Sequence, residues 1–355
     1  MRLNHFIAGL TLALAVVGPD HVGAQTATAP LEINYGYPTV DHVNIYVAQD
    51  LGLFEKAGLK PNFYTFQSGA PLLAALKSES LDVATAGLGL AFAIGQGIPL
   101  KFVLWNSNDA TGEALIVGHD SPVKSYADIA KAGKIGAASG TCAQVALYLM
   151  AQKIGVDYTK LNIVNIPAPL LRNSFLSNSI DAGLAWAPYS IMLDQEGFRA
   201  VNWDPDYTPL GGVCPRITAV RAAFLTAHPE VGAKLIEIDA AASEAVAKNP
   251  KLAIDAVVKR LGLSEDVARA SIERVYNRRP NYAQQADPNS PFSLTAKDGG
   301  LAKSLFLATQ VLYETKSIPE PIALSKIQES IDPAFVVAFA AKSKANLSAG
   351  DKPPQ

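Results

Sequence analysis

A strand–helix–strand pattern that occurs twice constrains the fold of this 355-residue chain more than any other feature. Residues 70–73 read Ala-Pro-Leu-Leu and lead through a helical segment to Leu-Asp-Val-Ala at 81–84. The same tetrapeptide returns at 168–171 and leads to Ile-Asp-Ala-Gly at 180–183, offset by 98 residues at the tetrapeptide and 99 at the aspartate. Any two βαβ units look alike to some degree, but this match favours two similar α/β lobes.

The rest of the chain alternates predicted strands and helices, which is typical of an α/β fold with mostly parallel sheets. The last third has helical periodicity and predicts extra C-terminal helices that cover lobe one. The final residues are polar, with Pro-Pro near the end, and are expected to be disordered. We assign residues 27–117 and 217–342 to a discontinuous lobe one, with 114–117 as its strand before the crossing, residues 118–216 to lobe two, and residues 343–355 to the disordered tail.

The N-terminus has the pattern of a secretory signal peptide. It begins MRLNHF, continues with an apolar run over residues 6–18 and has Val-Gly-Ala at 22–24 for cleavage. Because the run is too short to span a bilayer, we expect residues 1–24 to be removed and the mature protein to be periplasmic. A formal net charge of −2, without a basic run, argues against nucleic-acid binding. We expect a monomer.

Motifs for catalysis and metal binding are absent from the sequence. It contains no Gly-x-Ser-x-Gly, no His-Glu-x-x-His and no P-loop. Three histidines follow the signal peptide, and none has a second metal ligand at a suitable spacing, apart from the adjacent Asp41 and Asp120. We expect His42 to be a surface residue at a helix start and His119 to be solvated. The sequence thus predicts no catalytic residue, no metal and no cofactor, and favours a binding protein over an enzyme.

Small and hydroxyl-bearing residues gather where predicted strands meet helices. In the clearest case a strand at Ile135–Ala138 is followed by a turn and then at once by a helix. Free N–H groups at a helix start attract anions, although Ser and Thr also cap helices that bind nothing. Since open α/β sheets bind ligands at the carboxyl ends of their strands, we expect these junctions to form one cleft between the lobes. The junction residues are Tyr35 and Tyr37, Gln67-Ser68-Gly69, Gly87-Leu88-Gly89, Ser139-Gly140-Thr141-Cys142, and Trp186 within Ala185–Pro188.

Seven short segments have an order and spacing that are specific when taken together. They read Gly-Leu-Phe at 52–54, Ala-Gly-Leu at 57–59, Phe-Gln-Ser-Gly-Ala at 66–70, Asp-Val-Ala at 82–84, Ala-Trp-Ala-Pro at 185–188, His-Pro-Glu-Val at 228–231, and the stretch 312–319. In these segments the chain resembles the periplasmic substrate-binding proteins of taurine, aliphatic sulfonate and nitrate ABC importers, with the taurine branch most similar. The resemblance covers nearly the whole mature chain. It implies a type II periplasmic-binding-protein fold, in which two α/β lobes joined by two crossings close on a ligand.

The resemblance also assigns roles to the junction residues. It implies that hydroxyls and backbone N–H groups at helix starts hold the anionic group of the ligand. It also implies that Trp186 borders the cleft, whereas the alternative is a core position behind its strand. The partners implied are a small organic anion and an ABC permease in the membrane. The anion-binding positions implied are Ser68, Gly69, Leu88, Gly89, Ser139, Gly140 and Thr141.

Arg216 departs from the taurine branch. The resemblance leads us to expect an acidic residue in the return crossing, where it would meet the ammonium group of the ligand, but the chain reads Pro-Arg-Ile at 215–217. A guanidinium in the cleft would repel an amine and attract a second anionic group. Taurine would then bind poorly, and an amine-free sulfonate or carboxylate, a dianion or an aromatic acid would bind better. The alternative is a solvent-facing Arg216 beside Asp204 or Asp206.

The two cysteines are Cys142, at a cleft-facing helix start, and Cys214, in the return crossing. In an oxidising compartment they could pair and fasten the crossing to lobe two. We favour two free thiols, because such a disulfide would restrain opening and closing. A free Cys142 would be a small cleft residue whose pKa is lowered at the helix N-terminus.

The sequence therefore favours the solute-binding component of an ABC importer, which captures a small sulfonate- or carboxylate-type anion in the cleft and delivers it to a permease. One alternative is an enzyme, because the pyrimidine synthases of thiamine biosynthesis share this fold. Those synthases carry a cysteine-rich motif, which two distant cysteines do not match. Another alternative is a sensor that presents its ligand to a membrane receptor kinase.

Overall fold

The computed structural model describes residues 29–67, 69–203 and 214–350. The predicted signal peptide at residues 1–24 lies outside these ranges, and so does the predicted site residue Ser68. The strands of the described part are β1 (Leu31–Pro38), β2 (Leu59–Phe66), β3 (Val83–Ala86), β4 (Leu100–Asn108), β5 (Ala114–Val117), β6 (Ile135–Gly136), β7 (Ile163–Val164), β8 (Ala182–Ala185), β9 (Arg199–Trp203) and β10 (Pro215–Arg221).

Helices cover both faces of the sheets. They are α1 (Val43–Asp50), α2 (Leu53–Lys56), α3 (Gly69–Lys77), α4 (Gly89–Gly95), α5 (Cys142–Lys153), α6 (Leu171–Leu176), α7 (Tyr189–Gln195), α8 (Ala222–Ala227), α9 (Glu230–Lys248), α10 (Lys251–Leu261), α11 (Glu265–Arg274), α12 (Tyr282–Ala286), α13 (Gly300–Glu314), α14 (Leu324–Ser330) and α15 (Ala334–Gly350).

The strands form two five-stranded sheets with the same plan. The order is β2-β1-β3-β10-β4 in the first sheet, which defines lobe one, and β7-β6-β8-β5-β9 in the second, which defines lobe two. In each sheet one strand runs antiparallel to both of its neighbours: β10 between β3 and β4, and β5 between β8 and β9. The two central strands, β3 and β8, are short, made of small or apolar residues and fully buried, as expected for strands covered on both faces.

The boundary that we placed after residue 117 is wrong for β5. We expected this strand to be the last of lobe one, but Ala114 pairs with Ala185 of β8 and with Trp203 of β9 in lobe two. The segment therefore crosses before β5, at the 3₁₀ turn Asp109–Gly112. Each lobe receives its antiparallel strand from the segment that enters it.

The crossings run side by side. The N–H of Asp109 donates to the carbonyl of Cys214 (2.7 Å), and the N–H of Cys214 donates to Oδ1 of Asn108 (3.1 Å). Residues 204–213, which precede Cys214, lie outside the described residues. Adjacent crossings of this kind form a hinge about which two lobes can rotate.

The C-terminal helices do more than cover lobe one. Val267 and Val275, within and just after α11, form an apolar cluster with Ala187 and Ile191 of lobe two. The guanidinium of Arg274 lies 3.7 Å from the centre of the Trp203 ring at the end of β9. Helix α11 therefore holds lobe two to lobe one beside the hinge.

The tail is more helical than we predicted. Residues 343–355 were expected to be disordered, but α15 continues through Gly350, and residues 351–355 lie outside the described part. Lys344, Ala345, Leu347 and Ala349 favour helix, which explains the extension. Within the three described ranges, no helix combines the length and the hydrophobicity that a bilayer-spanning segment needs.

Candidate ligand-binding site

A pocket lies between the two lobes, beside the hinge. Its empty volume is about 670 Å³, part of it open to solvent. It occupies the carboxyl ends of β1, β2 and β3, where an open α/β sheet binds its ligands. The lobe-one wall includes Thr39, His42, Gln67, Gly69, Leu88 and Gly89. Lobe two contributes Thr141, Cys142, Pro169 and Trp186.

Glycines bring two helix starts of lobe one close together. A Cβ on Gly69, the first residue of α3, would lie 3.6 Å from the Cα of Gly89, the first residue of α4. A Cβ on Gly89 would lie 3.9 Å from the carbonyl oxygen of Gly140, in lobe two. Larger side chains would fill this space, so the small residues keep the backbone at the helix starts accessible from the pocket.

The start of α5 faces the pocket without a side-chain cap. Its N-cap residue, Thr141, makes no capping hydrogen bond, because its hydroxyl donates to the carbonyl of Ala138 (2.7 Å). Cys142, the first helical residue, lines the pocket. Within the described residues, the N–H groups of Cys142 and Ala143 have no protein acceptor. A helix start with open N–H groups carries partial positive charge and suits an anion.

Ser139 and Gly140 contribute less than predicted. Neither lines the pocket. The N–H of Ser139 donates to Oδ1 of Asn165 (3.0 Å), and the N–H of Gly140 donates to Oε1 of Gln144 (2.7 Å). These N–H groups are engaged in shaping the turn, which leaves the next residues to face the pocket.

Trp186 borders the pocket, as the resemblance implied. It follows β8 and is half-buried, packed against the apolar residues of both lobes. Pro38 and Val40 of lobe one, with Leu88 and Pro169, extend this apolar wall. The pocket therefore combines an apolar wall with helix starts.

Tyr35 and Tyr37 do not line the pocket, contrary to our expectation. Both are 3% exposed and lie on the same face of β1, because residues i and i+2 of a strand point the same way. The hydroxyl of Tyr35 shares a hydrogen bond with Thr85 (2.7 Å), and Gln49 donates to the hydroxyl of Tyr37 (3.1 Å). The two rings belong to the core of lobe one, and only the last residue of β1, Pro38, and the residues that follow it reach the pocket.

Arg216 is buried in an ion-pair triad, so the solvent-facing alternative is wrong. Its side chain is 6% exposed. Nε donates to Oδ2 of Asp109 (2.9 Å), Nη1 to the backbone carbonyl of Asp41 (2.8 Å), and Nη2 to Oδ1 of Asp41 (2.8 Å). Nη2 also lies 2.8 Å from Oδ2 of Asp109. Ser107 and Ser271 donate to the remaining carboxylate oxygens, Oδ1 of Asp109 and Oδ2 of Asp41.

Burial and charge shift the protonation equilibria of this region. Burial raises the pKa of Asp41, and the nearby charge of Arg216 only partly opposes that effect. Burial disfavours the charged form of Arg216, but Asp109 and Asp41 outweigh it and raise the pKa. For His42, burial and then the charge of Arg216 hold the pKa well below its ordinary value. His42 is therefore neutral at pH 7, with Nε2 donating to the carbonyl of Pro38 (3.0 Å).

Sequence reasoning missed part of this site. We interpreted His42 as a surface residue, but it is 3% exposed and lines the pocket; His119, by contrast, has an 80% exposed side chain, as predicted. Asp41 and Asp109 were not singled out as partners of Arg216. Their pairing joins residues 175 and 107 positions apart, and no local pattern indicates it. The one available signal was the unusual Asp-His pair at a predicted helix start.

Cys142 and Cys214 form a disulfide, so our expectation of two free thiols is wrong. The bond joins the start of α5 to the return crossing, 72 positions further along the chain, and both cysteines line the pocket. In this conformation the start of α5 and the return crossing lie close enough for the two cysteines to pair. Among the described residues these cysteines and Glu113 form one three-membered set of metal-type ligands, but a disulfide offers no thiolate to a metal.

Several further contacts hold the lobes together around the pocket. Tyr189 of α7 donates from its hydroxyl to the carbonyl of Thr39 (2.7 Å), which links lobe two to lobe one. The amide of Gln144 in α5 donates to the hydroxyls of Thr315 and Ser317 (3.1 and 2.9 Å), just after α13. These bonds and the disulfide describe lobes in contact, with the pocket enclosed between them.

Curated relatives share about a quarter of the aligned residues with this chain. The "Putative binding protein" of Brucella abortus (strain 2308) is 26% identical over 217 residues, which are 61% of this chain and 66% of that protein. The "Putative aliphatic sulfonates-binding protein" of Escherichia coli (strain K12) is 27% identical over 210 residues, 58% of this chain and 65% of that protein. The chain thus spans just under two thirds of the length of these relatives.

The fold matches that of a solved binding protein. The alkanesulfonate-binding protein SsuA from Xanthomonas axonopodis pv. citri, bound to MOPS, superposes with a TM-score of 0.69 over 87% of this chain and 100% of that chain, at 20% sequence identity. This likeness confirms the predicted periplasmic-binding-protein fold with two α/β lobes. The family model described as "NMT1/THI5 like" matches residues 39–253, which is more than half of the chain. The chain belongs to the NMT1/THI5-like family.

Proposed function

We propose that this protein is the periplasmic solute-binding component of an ABC importer and captures a small organic anion of the sulfonate or carboxylate type. The observation that carries the proposal is the pocket between the lobes, onto which the starts of α3 and α5 converge. The relatives described as sulfonate-binding proteins support the sulfonate class. A signal peptide at residues 1–24, inferred from sequence, supports the periplasmic location.

The geometry suits binding by enclosure. An anionic head group at the start of α5 would meet the N–H groups of Cys142 and Ala143, and the start of α3 at Gly69 lies across the pocket. The apolar wall with Trp186 would cover the body of the ligand. Because the lobes contact each other around the pocket, a bound ligand would be removed from water, which strengthens bonds to a charged group.

The side chains of the pocket favour binding over catalysis. Both cysteines are joined in the disulfide, so neither offers a thiolate nucleophile. The hydroxyl of Thr141 donates to the carbonyl of Ala138, and Nε2 of His42 donates to the carbonyl of Pro38. Neither group donates to the other or to a nucleophile. This arrangement supports a protein that holds its ligand and releases it unchanged.

A thermal-shift screen of the mature chain against sulfonates and carboxylates tests the proposal. A ligand that binds only the folded state, present at 100 times its Kd, stabilises the protein by about 2.7 kcal/mol and raises Tm. We expect a rise with at least one small anion, one-to-one stoichiometry by calorimetry, and recovery of unaltered ligand by mass spectrometry. Absence of any shift would refute anion binding, and recovery of a changed molecule would instead indicate an enzyme.

Delivery to a permease has a separate test. A strain of the source organism that lacks this protein should lose uptake of the isotope-labelled ligand, and a plasmid copy should restore it. Normal uptake in the deletion strain would contradict the importer role while leaving ligand binding intact, as a sensor would.

A further inference from the structure

The ionisable side chains of the pocket already have partners within the protein. Among the described lining residues they are His42, Asp109 and Arg216, since the two cysteines form a disulfide. Arg216 makes four contacts with Asp109 and Asp41, at 2.8 to 2.9 Å. Three of these contacts are hydrogen bonds, and the fourth, between Nη2 and Oδ2 of Asp109, is an ion-pair contact only. Two of the five guanidinium N–H groups, one on Nη1 and one on Nη2, therefore lie outside these hydrogen bonds, on a cation that is paired with two carboxylates.

The carboxylates are equally engaged. Oδ2 of Asp109 and Oδ1 of Asp41 accept from Arg216, while Oδ1 of Asp109 accepts from Ser107 (2.6 Å) and Oδ2 of Asp41 accepts from Ser271. Asp41 is 2% exposed and Asp109 7% exposed. Neither carboxylate is available to a new cation unless it gives up a buried, charge-assisted bond.

We propose that the triad of Asp41, Arg216 and Asp109 makes the pocket selective for a monoanion with an apolar body, by denying a partner to any second charge on the ligand. The inference rests on the proposed function, because it takes an anion held by the helix starts as given. The three residues determine specificity because their charged groups are already paired and give a second charge on the ligand no partner.

The physical reason is the cost of burying an unpaired ion. An ammonium group beside the triad would face an arginine and two occupied carboxylates, so its desolvation would go uncompensated. A second sulfonate or carboxylate would meet a cation that is already paired with two carboxylates. The wall of Val40, Leu88 and Trp186 is mostly apolar and favours an alkyl or aromatic body.

This inference replaces one of our sequence-based expectations. From sequence we expected that Arg216, if it faced the cleft, would attract a second anionic group and so favour a dianion. The structure pairs Arg216 with two carboxylates instead, which removes that attraction. The expected discrimination against taurine remains, but its cause becomes the absence of an unpaired carboxylate among the described lining residues.

Three ligands of nearly equal size test the proposal by calorimetry: propane-1-sulfonate, 2-aminoethanesulfonate (taurine) and 3-sulfopropionate. Taurine is a zwitterion and 3-sulfopropionate is a dianion, so each carries a second charged group. We expect propane-1-sulfonate to bind at least about 100-fold more tightly than either of them, since an uncompensated buried charge costs several kcal/mol. Benzenesulfonate and butyrate extend the apolar series in size and head group. Comparable binding of taurine or 3-sulfopropionate would overturn the inference and leave the proposed function standing. Failure of all five compounds to bind would refute the proposed function, and the inference with it.

A variant tests whether the triad is the cause. Asp109→Asn removes one of the two carboxylates beside Arg216 and keeps a side chain of the same shape, so Asp41 remains as the one ionic partner and the triad becomes less negative by one unit charge. The preference for propane-1-sulfonate over 3-sulfopropionate should shrink at least about 10-fold. The control is Asp120→Asn, whose side chain is 97% exposed, and the Tm of each variant verifies its fold. An unchanged preference in a folded Asp109→Asn protein would show that the triad does not set specificity.

Discussion

The two lobes share one sheet plan but differ in how they are built. Strands of lobe one run to nine residues, whereas no strand described in lobe two exceeds five. The C-terminal helices pack mainly on lobe one, and β10 of lobe one with the first crossing carries Arg216 and Asp109. Lobe two brings an open helix start, a disulfide sulfur and Trp186. The difference indicates that lobe one is the larger platform, which carries the buried triad, and that lobe two is the smaller body packed against it.

Arg216→Met should give the largest effect, because it breaks the platform. It leaves Asp41 and Asp109 buried without their cation, which costs about 3–5 kcal/mol of unfolding free energy. Urea denaturation measures the loss. The matched change in lobe two is Arg172→Met, which removes an exposed ion pair with Glu196 and should cost less than about 1 kcal/mol. Equal losses in the two variants would contradict the contrast between the lobes.

Removal of the disulfide should have the second-largest effect on stability, because it frees lobe two from the return crossing. Cys142→Ser with Cys214→Ser should lower the free energy of unfolding by about 2–5 kcal/mol, as loss of a native disulfide that closes a long loop usually does. Dithiothreitol added to the wild-type protein, but not to the double variant, should produce a similar loss. A double variant as stable as the oxidised wild type would show that the bond does not form in solution.

Gly140→Ala should separate the lobes at their contact. Gly140 has φ +73° in lobe two, and an added Cβ would lie 2.6 Å from the ring of Phe92 in lobe one. Its control is Gly155→Ala, with φ +71° and open space around the new methyl group. Both variants should lose about 1–2 kcal/mol of stability from backbone strain. Only Gly140→Ala should also weaken sulfonate binding, measured by calorimetry. Equal affinities of the two variants would show that sulfonate binding does not depend on this contact between the lobes.

His42 should give the smallest effect, a pH dependence that arises in the platform. Its folded pKa lies well below its ordinary value of 6.5, so on acidification the unfolded chain binds a proton before the folded one does. Stability should therefore fall as pH drops below about 6.5, by at most about 1.4 kcal/mol per pH unit. His42→Gln should flatten the slope measured by urea denaturation from pH 7 to pH 5, and the exposed His119→Gln should not. A slope unchanged in His42→Gln would contradict a buried, neutral His42.

Much of the fold could be predicted from sequence because its signals are local. The alternation of strands and helices, the repeated βαβ unit and the small residues at strand ends are all read within a few positions. The position of β5 could not be read in this way, because its lobe depends on whether it pairs with β8 or with β4. In the site, too, the features with local signals could be predicted. Helix starts at Gly69, Gly89 and Cys142 follow local patterns and line the pocket.

The errors concern long-range contacts. Tyr35 and Tyr37 precede the pocket in sequence, but the pleat of β1 turns both rings into the core. The disulfide and the triad depend on how closely the lobes approach at the hinge, and that distance is set by packing over the whole chain. Sequence reasoning identified Arg216 as unusual, yet its partners could be found only in the fold.

A crystal structure of the mature protein grown with propane-1-sulfonate would show whether the helix starts of the pocket hold the anion. We expect the sulfonate between the starts of α3 and α5, with oxygens in reach of the N–H groups of Cys142 and Ala143, and the propyl chain against Trp186. The bonds between Arg216 and its two aspartates should remain as they are. A sulfonate seated on Arg216, or bound outside the pocket between the lobes, would contradict this expectation.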